Sequence, residues 1–152
     1  MSYPSIFNVA TLAENKKRLD KLTTDSQPLW GKMDAAQMLA HLNLTYDTSR
    51  GRVRLELHPF MHFFVKTFLK KTIVDSKPYP KNAKTAPYFL VADSKVFEEE
   101  KSRLLQNMQW AFEKGEAYFE GRLTASFGRL TAKEWSNLFQ KHLDHHFQQF
   151  GV

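Results

Sequence analysis

No cysteine occurs among the 152 residues. That excludes disulfides and thiolate metal ligands, so any transition metal must be held by imidazole and carboxylate. Long apolar runs are missing too. None approaches the ~20 residues that a membrane-spanning helix needs. The opening MSYPSIFNVATLAENKK turns polar too early for a secretory signal. A cytoplasmic protein is the resulting expectation. There is no internal repeat and no low-complexity segment. Acidic residues are scarce in one place: between Arg50 and Lys84, nine Lys/Arg face only Glu56 and Asp75, while the rest of the chain has 13 basic and 14 acidic residues. The net charge of +6 therefore resides in one middle segment. Such a segment attracts an anionic partner, although a solvated basic face explains the same count.

What remains is an ordinary globular composition, 42% apolar and 25% charged, with 13 Phe and three Trp. The length fits one domain over residues 1–152. Apolar periodicity is mostly helical. A first helix is expected from about Asn8 to Leu22, capped by Asn8 or Thr11. A second begins after Asp34, where Gln37 completes a capping-box spacing, and runs to about Thr48. SRGRVRLELHPF alternates over Val53, Leu55 and Leu57, a short strand signal. An amphipathic insert helix starts at Pro59. DSKPYPKNAKTAPYF reads as a long loop. A long helix follows Asp93 or Ser94, with Glu98, Glu99 and Glu100 in its first turn and a stop at Gly115. YFEGRLTASFG is a connection. Thr131 and Glu134 announce the last helix. The expected fold is all-α: a four-helix bundle with an elaborated insertion, an extra short helix, between main helices 2 and 3.

Three of the six histidines lie within HLDHH, residues 142–146. At ~100° per residue, His142 and His146 share the apolar face of Trp135, Leu138, Phe139, Leu143 and Phe147, while His145 falls at its edge and Asp144 outside it. An i,i+4 histidine pair can chelate one metal ion. His41, on an apolar helix face, is the natural third donor. A buried histidine of that kind is more often a core residue than a ligand, and only the inward pair changes its standing. Three His with open positions form a recognised catalytic arrangement that lowers a ligand's pKa. Gln37 and Gln149 lie near the ligand faces and are candidate orienting partners of the imidazoles, although each taken singly reads more simply as a polar rim residue. His58 and His62 are also four apart, but His58 precedes Pro59 and is pushed out of the helix. No inward carboxylate offers itself as a general base.

PLWGKMDAAQMLAHL (Pro28 to Leu42), SFGRLTAKEW (Ser126 to Trp135) and KHLDHHFQQFG (Lys141 to Gly151) resemble the DinB-like, or DinB/YfiT-like, superfamily of metalloenzymes. The closest resemblance is to a branch known as a domain of unknown function. It covers nearly the whole chain and implies an up-down-down-up four-helix bundle. It also implies a divalent metal, nickel or zinc, on one His of the second helix and a His-x3-His pair of the last, positions that match His41, His142 and His146. Characterised members look like hydrolases or thiol-dependent transferases acting on small molecules. One departure stands out: Thr124 and Ala125 occupy the place of the branch's usual His-Pro. The competing expectation is a non-catalytic binding module that uses the basic, aromatic-rich insert of residues 50–84 for an anionic or protein partner. There Phe60, Phe63, Phe64 and Phe68 fall at core-like spacing, which favours a buried or homodimer-interface helix. No nucleic-acid partner is expected.

Overall fold

The structure, a computed structural model, describes residues 3–55, 58–83 and 85–152, with His62 described by its backbone alone. Helix α1 spans Val9–Asp20 and α2 spans Ala35–Ser49. A short α3, Pro59–Phe64, runs into a π-helical stretch, Val65–Leu69, and on into α4, Lys70–Val74. A 3-10 turn at Pro87–Phe89 precedes α5, Phe97–Phe119. Strands β1 (Arg122–Thr124) and β2 (Gly128–Leu130) form an antiparallel hairpin with Leu123 opposite Arg129, and α6, Ala132–Gln149, follows. The protein is mostly helical with one small two-stranded sheet. Among the described residues no helix is long and apolar enough to cross a membrane.

Local chemistry accounts for most of the boundaries. Asn8 caps α1 by accepting from the Ala10 N–H at 2.8 Å. Asp34 with Gln37 and Thr131 with Glu134 each form a reciprocal capping box, satisfying N–H groups that a helix start leaves unpaired. Elsewhere the outcome differs from expectation. The cap of α5 is Val96, whose side chain makes no capping bond, and neither Asp93 nor Ser94 serves. Gly115 does not end α5. Its backbone nonetheless leaves the helical region there, at φ +69° and ψ 175°, so the first helical run does stop at the expected glycine and a second short run continues across the kink to Phe119. The strands lie in the supposed connection at residues 122–130, because three-residue strands are too short to print a period of two. Val53 and Leu55 belong to no strand, and Glu56 and Leu57 lie outside the described residues.

All four long helices feed one core. Leu12 and Leu19 of α1, Met38, Leu39, Leu42 and Tyr46 of α2, Leu104 and Met108 of α5, and Trp135, Phe139, Leu143 and Phe147 of α6 are buried together. Tyr46 stacks on Phe139 with ring centroids 4.4 Å apart, and Phe119 packs against Trp135 at 5.5 Å. Buried amides fix the helix register. Asn15 and Gln140 exchange hydrogen bonds of 2.7 and 3.1 Å between α1 and α6, and Asn107 donates to Asn43 at 2.9 Å between α5 and α2. Since an unpaired buried amide is costly, these contacts admit only one alignment.

The insert is anchored through the carbonyls at the end of α4. Asn137 donates to the Val74 carbonyl at 2.8 Å. Lys141, 1% exposed, donates to the Thr72 carbonyl at 2.6 Å and to Asp75 at 2.8 Å. Carbonyls at a helix C-terminus have no intrahelical donor, so α6 supplies them. The aromatic residues of the insert are not buried. Phe60, Phe63 and Phe68 are 71%, 62% and 61% exposed, which overturns the core-helix expectation drawn from their spacing.

Candidate metal centre

His41 stands on α2, and His142 and His146 stand one turn apart on α6. Their ring centroids form a near-equilateral triangle with sides of 4.7, 4.8 and 4.9 Å. One nitrogen from each lies within 4.8 Å of the others, and the cluster contains no carboxylate. Tetrahedral coordination at ordinary Zn–N lengths places donor nitrogens about 3.3 Å apart. The observed spread brackets that value, so small side-chain adjustments suffice to close a site.

The outer nitrogen of each ring is already engaged. The Nδ1–H of His41 donates to the Phe89 carbonyl at 2.8 Å. His146 Nδ1 donates to Gln149 Oε1 at 2.7 Å, and the Gln149 amide is oriented by its own donation to the Trp30 carbonyl at 2.6 Å. His142 Nδ1 lies 3.0 Å from the Thr45 hydroxyl. A carbonyl only accepts, so neutral His41 and His146 keep their protons on Nδ1 and turn bare Nε2 lone pairs inward. His142 Nε2 sits 2.8 Å from His41 Nε2. Two lone pairs repel at that distance, so His142 carries its proton on Nε2 and its Nδ1 accepts from Thr45. Presenting a lone pair to a metal requires His142 to adopt the opposite tautomer. Thr45 allows this, because a hydroxyl both donates and accepts.

Burial keeps these rings neutral. His142 lies well below the ordinary imidazole pKa, first through desolvation and then through its neighbours His41 and His146. Desolvation pushes His146 down to about 3, opposed by its bond to Gln149. His41 is also lowered by burial, partly offset by the Phe89 carbonyl. Neutral imidazoles are the metal-binding form, so the cluster is poised as ligand at neutral pH.

Of the two candidate orienting glutamines, Gln149 touches the cluster and Gln37 is engaged elsewhere. Gln37 is spent on the α2 capping box and on the carbonyls of Ala92 and Asp93. Gly31 makes the Gln149 contact feasible. Its φ is +87°, and a Cβ there would sit 2.5 Å from Gln149 Nε2. Sequence reasoning missed Thr45 and the Phe89 carbonyl. Thr45 had a signal, being one helical turn beyond His41. A backbone carbonyl brought in by a distant loop had none.

His145 is half-buried, with its ring edge-on to Trp30 at 5.9 Å and to Tyr79 at 5.7 Å, so it is not a plain outer-face residue. Asp144 pairs with Arg18 of α1 at 2.8 Å and does not point to open solvent. His58 lies outside α3, as its proline neighbour requires, and is exposed. The Thr124 hydroxyl accepts from the Phe127 N–H and donates to the Gly128 carbonyl, so it closes the hairpin turn.

A mostly helical chain with three imidazoles converging from two helices, two of them buried and His142 half-buried, is a protein with a candidate metal centre. A family model described as "Protein of unknown function (DUF1569)" matches residues 4–151, and the chain belongs to that family. No curated protein and no solved structure matches it.

Proposed function

We propose that residues 1–152 are one DinB-like domain, an up-down-down-up bundle of α1, α2, α5 and α6 elaborated by the α3–α4 insert. It acts as a cytoplasmic divalent-metal-dependent enzyme, a hydrolase or thiol-dependent transferase working on a small molecule. His41, His142 and His146 hold the ion, nickel or zinc, an assignment consistent with an all-imidazole donor set. When bound, such an ion supplies Lewis-acid chemistry through its open coordination positions. The observation that carries this reading is the division of labour within each ring. Every Nδ1 is engaged outward by Phe89, Thr45 or Gln149, and desolvation lowers the pKa of every imidazole. A histidine buried only for packing does not need two like rings within 5 Å.

The chain's own residues divide the remaining tasks. Gln149 and the Phe89 carbonyl orient His146 and His41. The Phe89 ring, edge-on to His41 at 6.2 Å, helps exclude water. With no carboxylate in the cluster, the ring proton turned toward the centre is the one on His142 Nε2, while the Nδ1 protons of His41 and His146 point outward and Thr45 meets His142 Nδ1 from outside. Metal content of the untagged protein by elemental analysis tests the reading. Stoichiometric nickel or zinc in the parent, absent from His41→Ala and His142→Ala, is expected. A metal-free parent that also ignores added Ni²⁺ and Zn²⁺ would overturn it.

A further inference from the structure

Segment 59–74 is bonded to α6 and to the β-hairpin through one side. Its inner face delivers Val74 to the core and the Thr72 and Val74 carbonyls to α6. Its outer face carries Phe60, Met61, Phe63, Phe64, Phe68 and Leu69, all at least 40% exposed. The Phe64 and Phe68 rings lie 5.2 Å apart, and the other four exposed apolar residues neighbour them in sequence on the same short segment. A contiguous apolar patch on a polar rim marks an interaction surface.

Charge identifies what covers it. Lys66, Lys70, Lys71 and Lys133, together with the acids Asp75 and Glu134, line a cleft of about 500 Å³ between this segment and the start of α6. Lys70 is held by Glu134 at 3.2 Å and by the Arg129 carbonyl. Lys66, Lys71 and Lys133 are exposed and, among the described residues, belong to no ion pair with Asp or Glu. A second copy docked face to face would bring these like charges together. A surface that is apolar below and anionic above complements both features.

We propose that the α3–α4 insert docks on an anionic lipid bilayer, with Phe60, Phe63, Phe64 and Phe68 entering the headgroup–acyl boundary and the lysines of the cleft meeting the lipid phosphates. An interfacial helix of this kind lies in the membrane plane and needs no spanning segment. The placement leaves the histidine cluster untouched, since the insert reaches α6 through Asn137 and Lys141.

Co-sedimentation of the full chain with vesicles tests this directly. The expected result is binding to phosphatidylcholine vesicles containing phosphatidylserine and none to phosphatidylcholine alone, with binding lost as salt rises. Phe60→Ser combined with Phe68→Ser should weaken it at least about 10-fold. Lys66→Gln combined with Lys71→Gln should weaken it by about 5-fold per lysine. All four positions are exposed, and unchanged thermal unfolding verifies that the variants fold. Absence of vesicle binding by the parent overturns the proposal. So does binding that the phenylalanine pair leaves intact, which would be charge adsorption alone. A parent dimer in light scattering that the phenylalanine pair converts to monomer also overturns it, because a second copy then covers the face.

Discussion

Thr45→Val removes one hydroxyl and keeps the side chain's shape. Thr45 is 8% exposed, and among the described residues its only hydrogen-bond partner outside its own helix is His142 Nδ1 at 3.0 Å. Without metal, the variant leaves a buried imidazole nitrogen unsatisfied, a loss of about 1–3 kcal/mol in stability. With metal, His142 must carry its proton on Nδ1, and that proton loses its acceptor. A hydrogen bond from an ion-polarised imidazole is worth about 1.5–3 kcal/mol, against about 0.5–1.5 kcal/mol for a neutral one. The difference, about 1–1.5 kcal/mol, weakens metal binding roughly 10-fold, at the low end of what loss of an orienting partner costs. The assays are urea denaturation in EDTA and Zn²⁺ titration against a chromophoric chelator. Thr45→Ser, which keeps the hydroxyl, should stay near the parent in both. If Thr45→Val binds zinc as the parent does while His142→Ala does not bind it, the hydroxyl does not govern the tautomer of His142 and the reasoning fails.

Three further outcomes are expected. His146→Ala should abolish metal retention, whereas His145→Ala should preserve it, because His145 packs on Trp30 and Tyr79 outside the cluster; equal loss in elemental analysis would contradict the assignment. Metal-free protein should lose stability as pH falls below 6.5, since the unfolded chain binds protons there while His146 stays neutral down to about 3. By about pH 5 this single group removes about 2 kcal/mol, readable by guanidinium denaturation, and His146→Gln should flatten that slope. Gly31→Ala should destabilise by about 1–2 kcal/mol through its positive φ. Because the new methyl displaces the Gln149 amide from Trp30 and His146, zinc affinity should fall with it, and an unchanged affinity would show that Gln149 does not hold His146.

Several features were legible in residue order alone. Helix starts with their own side-chain caps, at Asn8, Asp34 and Thr131, could be read to within about a residue, because capping is local chemistry. The inward pairing of His142 and His146 followed from helical geometry, and the juxtaposition with His41 followed from apolar flanks on both helices. Gly115 does break the helical backbone, as its residue type suggests, whereas Asp93 misled because α5 starts at the buried Phe97 with Val96 before it, a start that no side-chain cap marks.

The sequence by itself determined the apolar faces of α1, α2 and α6, and so which imidazoles share one interior. Tertiary structure alone decided what holds those imidazoles. Phe89, Trp30 and Gly31 reach the cluster from loops, and a loop's path depends on the elements it joins and not on any periodicity of its own. The phenylalanines of the insert show the same limit from the other side. Amphipathic spacing specifies that a helix has an apolar face, but whether that face meets a core or stays exposed depends on whether another element is left to cover it.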